Sequence, residues 1–593
     1  MAGKDVARRP QQTEPGPTIA LATMGVAAVA VLGAWASLEL GEKISPTGQV
    51  VPGNPVVAVI DLLQGQVQWS GGATIVAVGL VAAAFIVLIV IASALGRRNA
   101  GRTRVDDVAK HLAGRSDVRS LSAKTVARAN RERGETVTTP GVYIGKEVAT
   151  GQDLWGGWED LHLDLWGPRQ GKTSSRIIPM IRRAPGICIS TSCKRDVIEA
   201  TMPFRQQVGR VWVLDPQDKA VGLDTSRWYF DPLDFVRRDQ WWDGNAEELA
   251  EIFNAASARG EAGSDPNAYF YSQAVDLLAS LFLAAAMKNR PITDVYGWVS
   301  NLEDSTPVEI LSDSQWKPQA ADLASKYNAE PRTRSNVFSA AKNMISCLGR
   351  RQIVRLLTPQ AGAERFDPVA FASSEADTLY LVSDEENPIG RPVTSILTVA
   401  VFKALVDRAD QCPGSRLPVP VTAALDEIAN IVRWPRLPDY YSTFGSRGII
   451  CDTVLQSYAQ GVEVWGEQGM KKLWSAAAIV VIGPGHKDYR FLEELAHLIG
   501  THTEQQRSIS HGGGDRGRSV STQTVERQTI TAAELAALPF GRMIVLATGR
   551  RPILARMVRW DHQDLPTIKP QFTDEVAGAV AGMVVGRDRM EGV

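Results

Sequence analysis

Cysteine is scarce and scattered in this chain. The 593 residues carry five, Cys188, Cys193, Cys347, Cys412 and Cys451, with no CxxC pair and no His-rich segment beside them. That spacing excludes a clamped metal and a disulfide framework, and reads as reduced structural thiols. Net charge is equally lacking, because 64 Lys and Arg face 65 Asp and Glu. No global attraction to nucleic acid follows, so any such contact must come from a local surface. A disordered composition is absent too: 44% hydrophobic and 22% charged residues are the balance of a globular chain with room for two or three packed domains.

What the N-terminal region does have is two long apolar runs, Thr18 to Leu38 and Ala73 to Leu95. Each matches the roughly 20 residues that cross a bilayer, so two transmembrane helices are expected. Lys4, Arg8 and Arg9 ahead of the first run also suit a signal peptide, but the run is longer than an h-region and a second span follows. Arg97, Arg98, Arg102 and Arg104 crowd the far side of the second run, while the connection from Gly41 to Gly72 carries only Glu42, Lys43 and Asp61. The positive-inside rule then puts both termini in the cytoplasm, as expected of a multi-pass protein of the cell membrane. The connection is too short for a receptor domain and suits contact with other membrane subunits. The basic stretch from Arg97 to Gly134 reads as a helix-compatible tether, or as a site for lipid or DNA.

Beyond residue 150, Leu161, Leu163 and Leu165 alternate with His162 and Asp164, which predicts a short strand. It runs into Trp166-Gly167-Pro168-Arg169-Gln170-Gly171-Lys172-Thr173-Ser174 and then a helix-like stretch. Strand, glycine loop and helix form the phosphate-binding half of an ATPase. Backbone N–H groups cradle phosphates, Lys172 reaches the β- and γ-phosphates, and the Thr173 hydroxyl ligates Mg²⁺. The first glycine of the G-x-x-x-x-G-K-[ST] pattern is replaced by Trp166, with Gly167 one residue later. The second half comes much later, where the apolar run Val419 to Leu425 ends in Asp426-Glu427. There an acidic residue holds Mg²⁺ and its neighbour polarises the attacking water; the plainer reading is a helix cap. A further strand, Ile449 to Leu455, ends in Gln456-Ser457, where the amide either senses the γ-phosphate or positions water, the plainer reading being a solvent-facing strand end. Arg447, on the turn before that strand, is either a surface arginine or a finger for a neighbour's nucleotide.

With these residues in place, the chain resembles the VirD4/TraG family of type IV coupling proteins, especially actinobacterial forms. The likeness rests on the two apolar runs, Gly167 to Thr173, Asp231-Pro232-Leu233, Leu425-Asp-Glu-Ile-Ala-Asn430, Gly445-Ser-Arg-Gly448, Leu455-Gln-Ser-Tyr-Ala-Gln460 and Trp474-Ser-Ala-Ala477, in this order. It implies an α/β fold: a RecA-like P-loop NTPase domain with an inserted all-α domain, preceded by the two transmembrane helices. It also implies a hexameric ring with ATP and Mg²⁺ at subunit boundaries. The implied partners are single-stranded DNA with its relaxase and the subunits of the secretion channel.

The pattern accommodates the insertion. After the strand-like Val211 to Asp215, helical periodicity runs from Ala246 through Leu348, and strand character returns at Thr378 to Val382. Ser272 to Met287 is too apolar for an exposed helix and too short for a third span, so it is expected to be the core of the helical block. The expected divisions are an anchor over 1–104, a juxtamembrane segment and first sheet part over 105–240, the all-α insert over 241–360, the second sheet part over 361–565 and a tail over 566–593. Arg332, Arg334, Lys342, Arg350, Arg351 and Arg355 form either a phosphate-facing surface or a solvated helix face. Glycine-rich Ser508 to Ser519 is expected as a mobile loop before the polar strand Ser521 to Ile530. Thr531 to Glu534 reads as a capping box, and Met543 to Ala547 with Ile553 to Val558 as a hairpin about Thr548-Gly549-Arg550-Arg551.

The expected activity is hydrolysis of ATP at subunit interfaces, driving single-stranded DNA with attached protein through the ring. Two other readings compete with it: an ATPase that recruits proteins only, and a non-hydrolysing membrane platform whose Trp166-altered loop binds nucleotide weakly. A double-strand DNA pump would need a DNA-reading domain after Trp560, for which the remaining tail is too short.

Overall fold

Strands rather than helices organise the greater part of the chain. The computed structural model describes residues 16–99, 103–219, 227–257, 268–384, 387–510, 519–563 and 565. Lys4, Arg8, Arg9, Arg102, the centre of the Ser508 to Ser519 segment and the 566–593 tail lie outside the described residues. Two units divide the chain, Met1–Thr103 and Arg104–Val593.

In the first unit both apolar runs are helical, over Gly16–Ile44 and Gly71–Asn99, each longer than the expected span. The connection between them is correspondingly shorter than the sequence suggested and contains a helix, Pro55–Leu63, started by the Asn54 side chain accepting from the Val56 N–H. The two long helices come into backbone contact at Gly41: a Cβ there would sit 2.3 Å from the Ala73 nitrogen. Val29, Leu32, Ile75, Val81 and Phe85 are exposed on these helices.

Among the described residues, one helical stretch is long and apolar enough to cross a membrane, Tyr269–Met287, and 56% of it is buried. A shorter apolar stretch is Gly71–Val87. Leu277, Leu278, Leu281 and Phe282 of the longer one are wholly buried, so it is the core helix that the sequence predicted for the helical block.

The strands of the second unit are β1 (Val142–Glu147), β2 (Asp153–Gly156), β3 (His162–Leu165), β4 (Cys188–Ser192), β5 (Val211–Leu214), β6 (Trp228–Tyr229), β7 (Glu364–Arg365), β8 (Thr378–Val382), β9 (Val421–Leu425), β10 (Ile449–Leu455), β11 (Ile479–Ile482), β12 (Thr501–Ser510), β13 (Ser519–Gln528), β14 (Arg542–Ala547) and β15 (Ile553–Arg556). Eleven of them form one sheet in the order β2-β1-β15-β14-β11-β3-β10-β9-β4-β8-β5. From β11 to β5 the strands are parallel, and the remaining four extend the sheet in antiparallel fashion. The predicted hairpin is β14–β15. The capping box at Thr531 is formed, with the Glu534 side chain returning to the Thr531 N–H.

One expectation needs correction. Ser508 to Ser510 and Ser519 are not loop but the ends of β12 and β13, which pair residue for residue from Thr501↔Gln528 to Ser510↔Ser519. The polar alternation that marked only the second strand runs through both. The short strand expected at Leu161 to Leu165 is present as β3, buried on both faces, with His162 and Asp164 in the interior. A central strand of a parallel sheet has no solvent face for polar side chains to seek.

Helices fill the interval between β6 and β7, from Leu233–Arg237 to Arg351–Leu357. Asp231 starts this block: its carboxylate accepts from the Leu233 N–H at 3.0 Å and pairs with Arg237 at 2.7 Å. The block shares a single apolar core with the sheet. A buried ion pair also joins them, Glu248 on the helix Trp242–Ser257 with Lys403 on the helix Arg391–Asp410. Breaking such a pair from one side strands a buried charge. Lys403→Met is expected to destabilise the protein by about 3–5 kcal/mol, and adding Glu248→Leu is expected to restore most of it, as read by chemical denaturation.

Candidate phosphate-binding site

Parallel pairing brings three strand ends to one edge, with β9 stopping two residues short of β10 so that Asp426 and Glu427 continue alongside its end. Leu165 of β3 lies opposite Leu455 of β10, and Leu425 of β9 lies opposite Thr453 of β10. The loop after β3, the acidic pair after β9 and Gln456 after β10 therefore emerge along one edge. In open α/β sheets this carboxyl edge is where ligands bind.

The loop begins one residue later than the usual pattern. Trp166 is fully buried, in the apolar cluster with Ile177, Ile181 and Val454. Its ring takes the space beside Gly483, where a Cβ would come 2.2 Å from the indole. Gly167 makes the close approach instead, since a Cβ there would meet the Gly485 backbone at 2.7 Å. Pro168 and Arg169 are exposed at the loop tip, and Gln170 is half-buried. Arg169 and Gly171 adopt left-handed φ values of 59° and 86°, the first a strained conformation for a residue with a side chain. The helix after the loop opens in a widened π turn, Thr173–Ile177, and Ser174 Oγ donates to the Gly171 carbonyl at 3.1 Å.

Behind the loop, a compact polar cluster forms. Lys172 Nζ donates to Glu427 Oε1 at 2.7 Å and lies 2.9 Å from Asp426 Oδ1. Thr173 Oγ1 donates to Asp426 Oδ2 at 2.8 Å, and Gln456 Nε2 reaches Glu427 Oε1 at 3.4 Å. Glu427 sits at φ 51°, a left-handed turn that lets two consecutive carboxylates face one ammonium. Burial opposes the Lys172 charge, but Asp426 and Glu427 overcome it and hold its pKa above the usual lysine value. For Asp426, burial together with Glu427 outweighs Lys172, and its carboxyl is held above the ordinary aspartate value. At the less enclosed Glu427 burial loses to Lys172, and the pKa is depressed.

A hydroxyl and a carboxylate oxygen beside an ammonium are the donor set for Mg²⁺ and phosphate oxygens, so Thr173, Asp426 and Lys172 fit a magnesium–nucleotide. Among the described residues, no three His, Cys, Asp or Glu side chains gather into a metal cage. A cavity of about 310 Å³ adjoins the loop, lined by Gly171, Ser174, Ser175, Phe540, Arg556 and Met557 among others. The exposed Phe540 ring lies so near Gly171 that a Cβ there would touch it at 3.4 Å.

Arg447 is not part of this cluster within one chain. It lies before β10, at the opposite end from Gln456, and seven strand residues at about 3.3 Å each separate them by roughly 20 Å. Its guanidinium pairs with Asp410 at 3.1 Å. Of the six basic residues that the sequence singled out in the helical block, Arg334 is engaged by Glu303 and the Tyr327 carbonyl, whereas Arg332, Lys342, Arg350, Arg351 and Arg355 are exposed.

The sequence reading missed a second polar cluster, beneath the first. Arg176, fully buried, donates through Nε to Asp164 Oδ2 at 2.7 Å and through Nη1 to the Tyr143 carbonyl at 2.5 Å. Its Nη2 reaches His162 Nδ1 at 3.0 Å and Asp452 Oδ2 at 3.2 Å. Burial, then the neighbouring Asp164, push the Asp452 carboxyl well above its ordinary value. Polar residues at His162, Asp164 and Asp452 in otherwise apolar strands were the available signal, once those strands are recognised as central.

A carboxyl edge carrying a glycine loop, a lysine, an acidic pair and an amide has the form of a P-loop nucleotide site on an open α/β sheet. Residues 420–540 match the family model for the TraM recognition site of TraD and TraG, so this part of the chain bears out the resemblance to the TraG/VirD4 coupling proteins. The fold is similar to that of the bacterial conjugative coupling protein TrwBdeltaN70 in its unbound form, with 16% identity, a TM-score of 0.52 and coverage of 76% of this chain and 94% of that one. It is also similar to the plasmid coupling protein TrwB in complex with ADP and Mg²⁺, with 16% identity, a TM-score of 0.51 and coverage of 76% and 95%. No curated protein sequence matches the chain.

Asp452 gives a test of the buried charges. Its raised pKa means that the native chain keeps a proton which the unfolded chain releases above the usual aspartate value. Rising pH above the ordinary aspartate range therefore favours unfolding, by at most about 1.4 kcal/mol per pH unit from this group. Asp452→Asn is expected to remove that slope, so the variant should gain stability relative to the parent as pH rises above that range in denaturation curves.

Proposed function

We propose that the chain is a membrane-anchored ATPase that couples DNA, with attached protein, to a type IV secretion channel and powers its transfer. The observation that carries this reading is the convergence of Lys172, Thr173, Asp426, Glu427 and Gln456 at one sheet edge. The TraD and TraG match over 420–540 and the TrwB-like fold support the coupling role.

In this mechanism Gly167 to Ser174 wrap the phosphates, and Lys172 exchanges its carboxylate partners for β- and γ-phosphate oxygens. Thr173 and Asp426 would hold Mg²⁺, which would supply neutralising charge for the phosphoryl group. Glu427, kept ionised by its surroundings, takes a proton from the attacking water, and Gln456 fixes the orientation of Glu427. The cavity beside Phe540 houses the nucleoside, with the ring offering a stacking face. Arg447, remote from its own chain's lysine, completes the site of a neighbouring subunit in a ring, a hexamer by family resemblance. The exposed apolar side chains of helices Gly16–Ile44 and Gly71–Asn99 suit lipid, and the arginines from Arg97 to Arg104 suit a cytoplasmic flank. The exposed basic residues of the helical block offer phosphate contacts to single-stranded DNA.

The recruiting reading keeps one specific support, because the matched segment is described by protein recognition rather than by DNA. Single-stranded DNA decides between them: stimulated ATP turnover is expected, and turnover indifferent to DNA would favour recruitment of proteins alone. The platform reading has lost its motive, since Trp166 is packed in the core and leaves Gly167 to Gly171 free to form the loop.

Glu427→Gln is expected to lower kcat by about 10²–10⁴-fold with nucleotide affinity retained, whereas Lys172→Ala is expected to lose both turnover and transfer. Arg447→Ala is expected to abolish turnover alone yet to be partly rescued when mixed with Lys172→Ala subunits, because each supplies the half that the other lacks. Turnover assays on the purified full chain and on mixed rings read both.

A further inference from the structure

Asp164 touches none of the groups assigned to nucleotide. It stands on β3, two residues before the loop, with its side chain fully buried. One oxygen, Oδ2, accepts both the Trp166 indole N–H at 3.2 Å and the Arg176 Nε–H at 2.7 Å. Trp166 is the residue from which the loop departs, and Arg176 lies in the widened turn that follows Lys172 and Thr173. We propose that Asp164 is a positioning residue for nucleotide binding, whose single oxygen ties the start of the phosphate loop to the helix turn at its end. The inference rests on the reading of this loop as the nucleotide site.

The argument is geometric. A phosphate loop works only if successive N–H groups converge on one point, and a loop containing two left-handed residues has many other conformations to explore. In the usual pattern the first position is glycine, which has no side chain to fasten. Here Trp166 supplies a donor, Gly483 vacates the space for its ring, and Arg176 brings a second donor to the same oxygen. Arg176 is itself held from the far side by Tyr143 on β1 and Asp452 on β10, so the tie is braced against the sheet. The residue that looked like a defect in the loop is thus one of its two fastenings.

The test uses the full chain in detergent, with a fluorescent ATP analogue and Mg²⁺ as the probe and thermal melting alongside. Trp166→Phe keeps the buried ring and removes only the N–H; Asp164→Asn keeps the shape and removes the charge. Each is expected to weaken analogue binding by about tenfold, as loss of a charge-assisted hydrogen bond would. Because both donors meet at Asp164, the losses in the double variant should be smaller than the sum of the two single losses. A lowered melting temperature with unchanged affinity would reduce Asp164 to a purely structural role and overturn the proposal. Should Asp164→Asn not fold, Trp166→Phe decides alone: weakened binding supports the tie and parental binding overturns it. If Lys172→Ala abolishes binding while Trp166→Phe binds like the parent, the tie falls and the nucleotide reading stands. A parent chain that binds no analogue overturns both.

Discussion

Everything at the candidate site depends on parallel register between β3, β10 and β9. A shift of two residues along any one of these strands would carry its end about 6–7 Å away, beyond reach of a hydrogen bond. Lys172 would then lose the acidic pair, or Gln456 would lose Glu427. The constraint is met by apolar packing on both faces of the sheet and by Arg176, which bonds side chains on β3 and β10 and a carbonyl on β1. Site geometry and core packing are therefore one problem in this protein.

How much of this was legible in the sequence follows from what each signal measures. Strands β8 and β10 were readable to the residue, because a run of β-branched and aromatic residues between polar ends leaves little choice of boundary. The glycine loop and the Asp426-Glu427 pair were readable because phosphate chemistry demands those residue types at a strand end. The second cluster was not: alternation of Leu with His162 and Asp164 has the period of a half-exposed strand, and only tertiary context turns it into a buried one. Trp166 was misjudged for a similar reason, since the space waiting for its ring is provided by Gly483, more than 300 residues away in sequence. The β12–β13 ribbon shows the opposite failure, where a glycine-rich centre drew attention from the regular pairing on either side.

The charge arrangement is economical in its own terms. At rest Lys172 is shared by two carboxylates, one held above its ordinary pKa and one below, so the site carries little unbalanced charge in a buried place. Arg176 beneath it is treated alike, facing Asp164 and an Asp452 whose carboxyl is pushed well above its ordinary value. Two cations, each with two acids, lie on either side of the same loop. Isolated buried charge is costly, and this pairing is how a polar site can exist inside a closely packed sheet.

The inserted helices have a consequence in time. Thr173 and Asp426, joined by a hydrogen bond, are separated by 253 residues, and Gln456 comes later still. β4 must wait for β8 before it has any neighbour in the sheet, and for β9 before it has both. At the usual pace of about 5–20 residues per second, a ribosome needs on the order of ten seconds or more between making the loop and making its acidic partners. A chain still being synthesised holds a phosphate loop with no opposing carboxylates. The candidate site is thus complete only after the whole of the helical block and the central strands have been released to fold together.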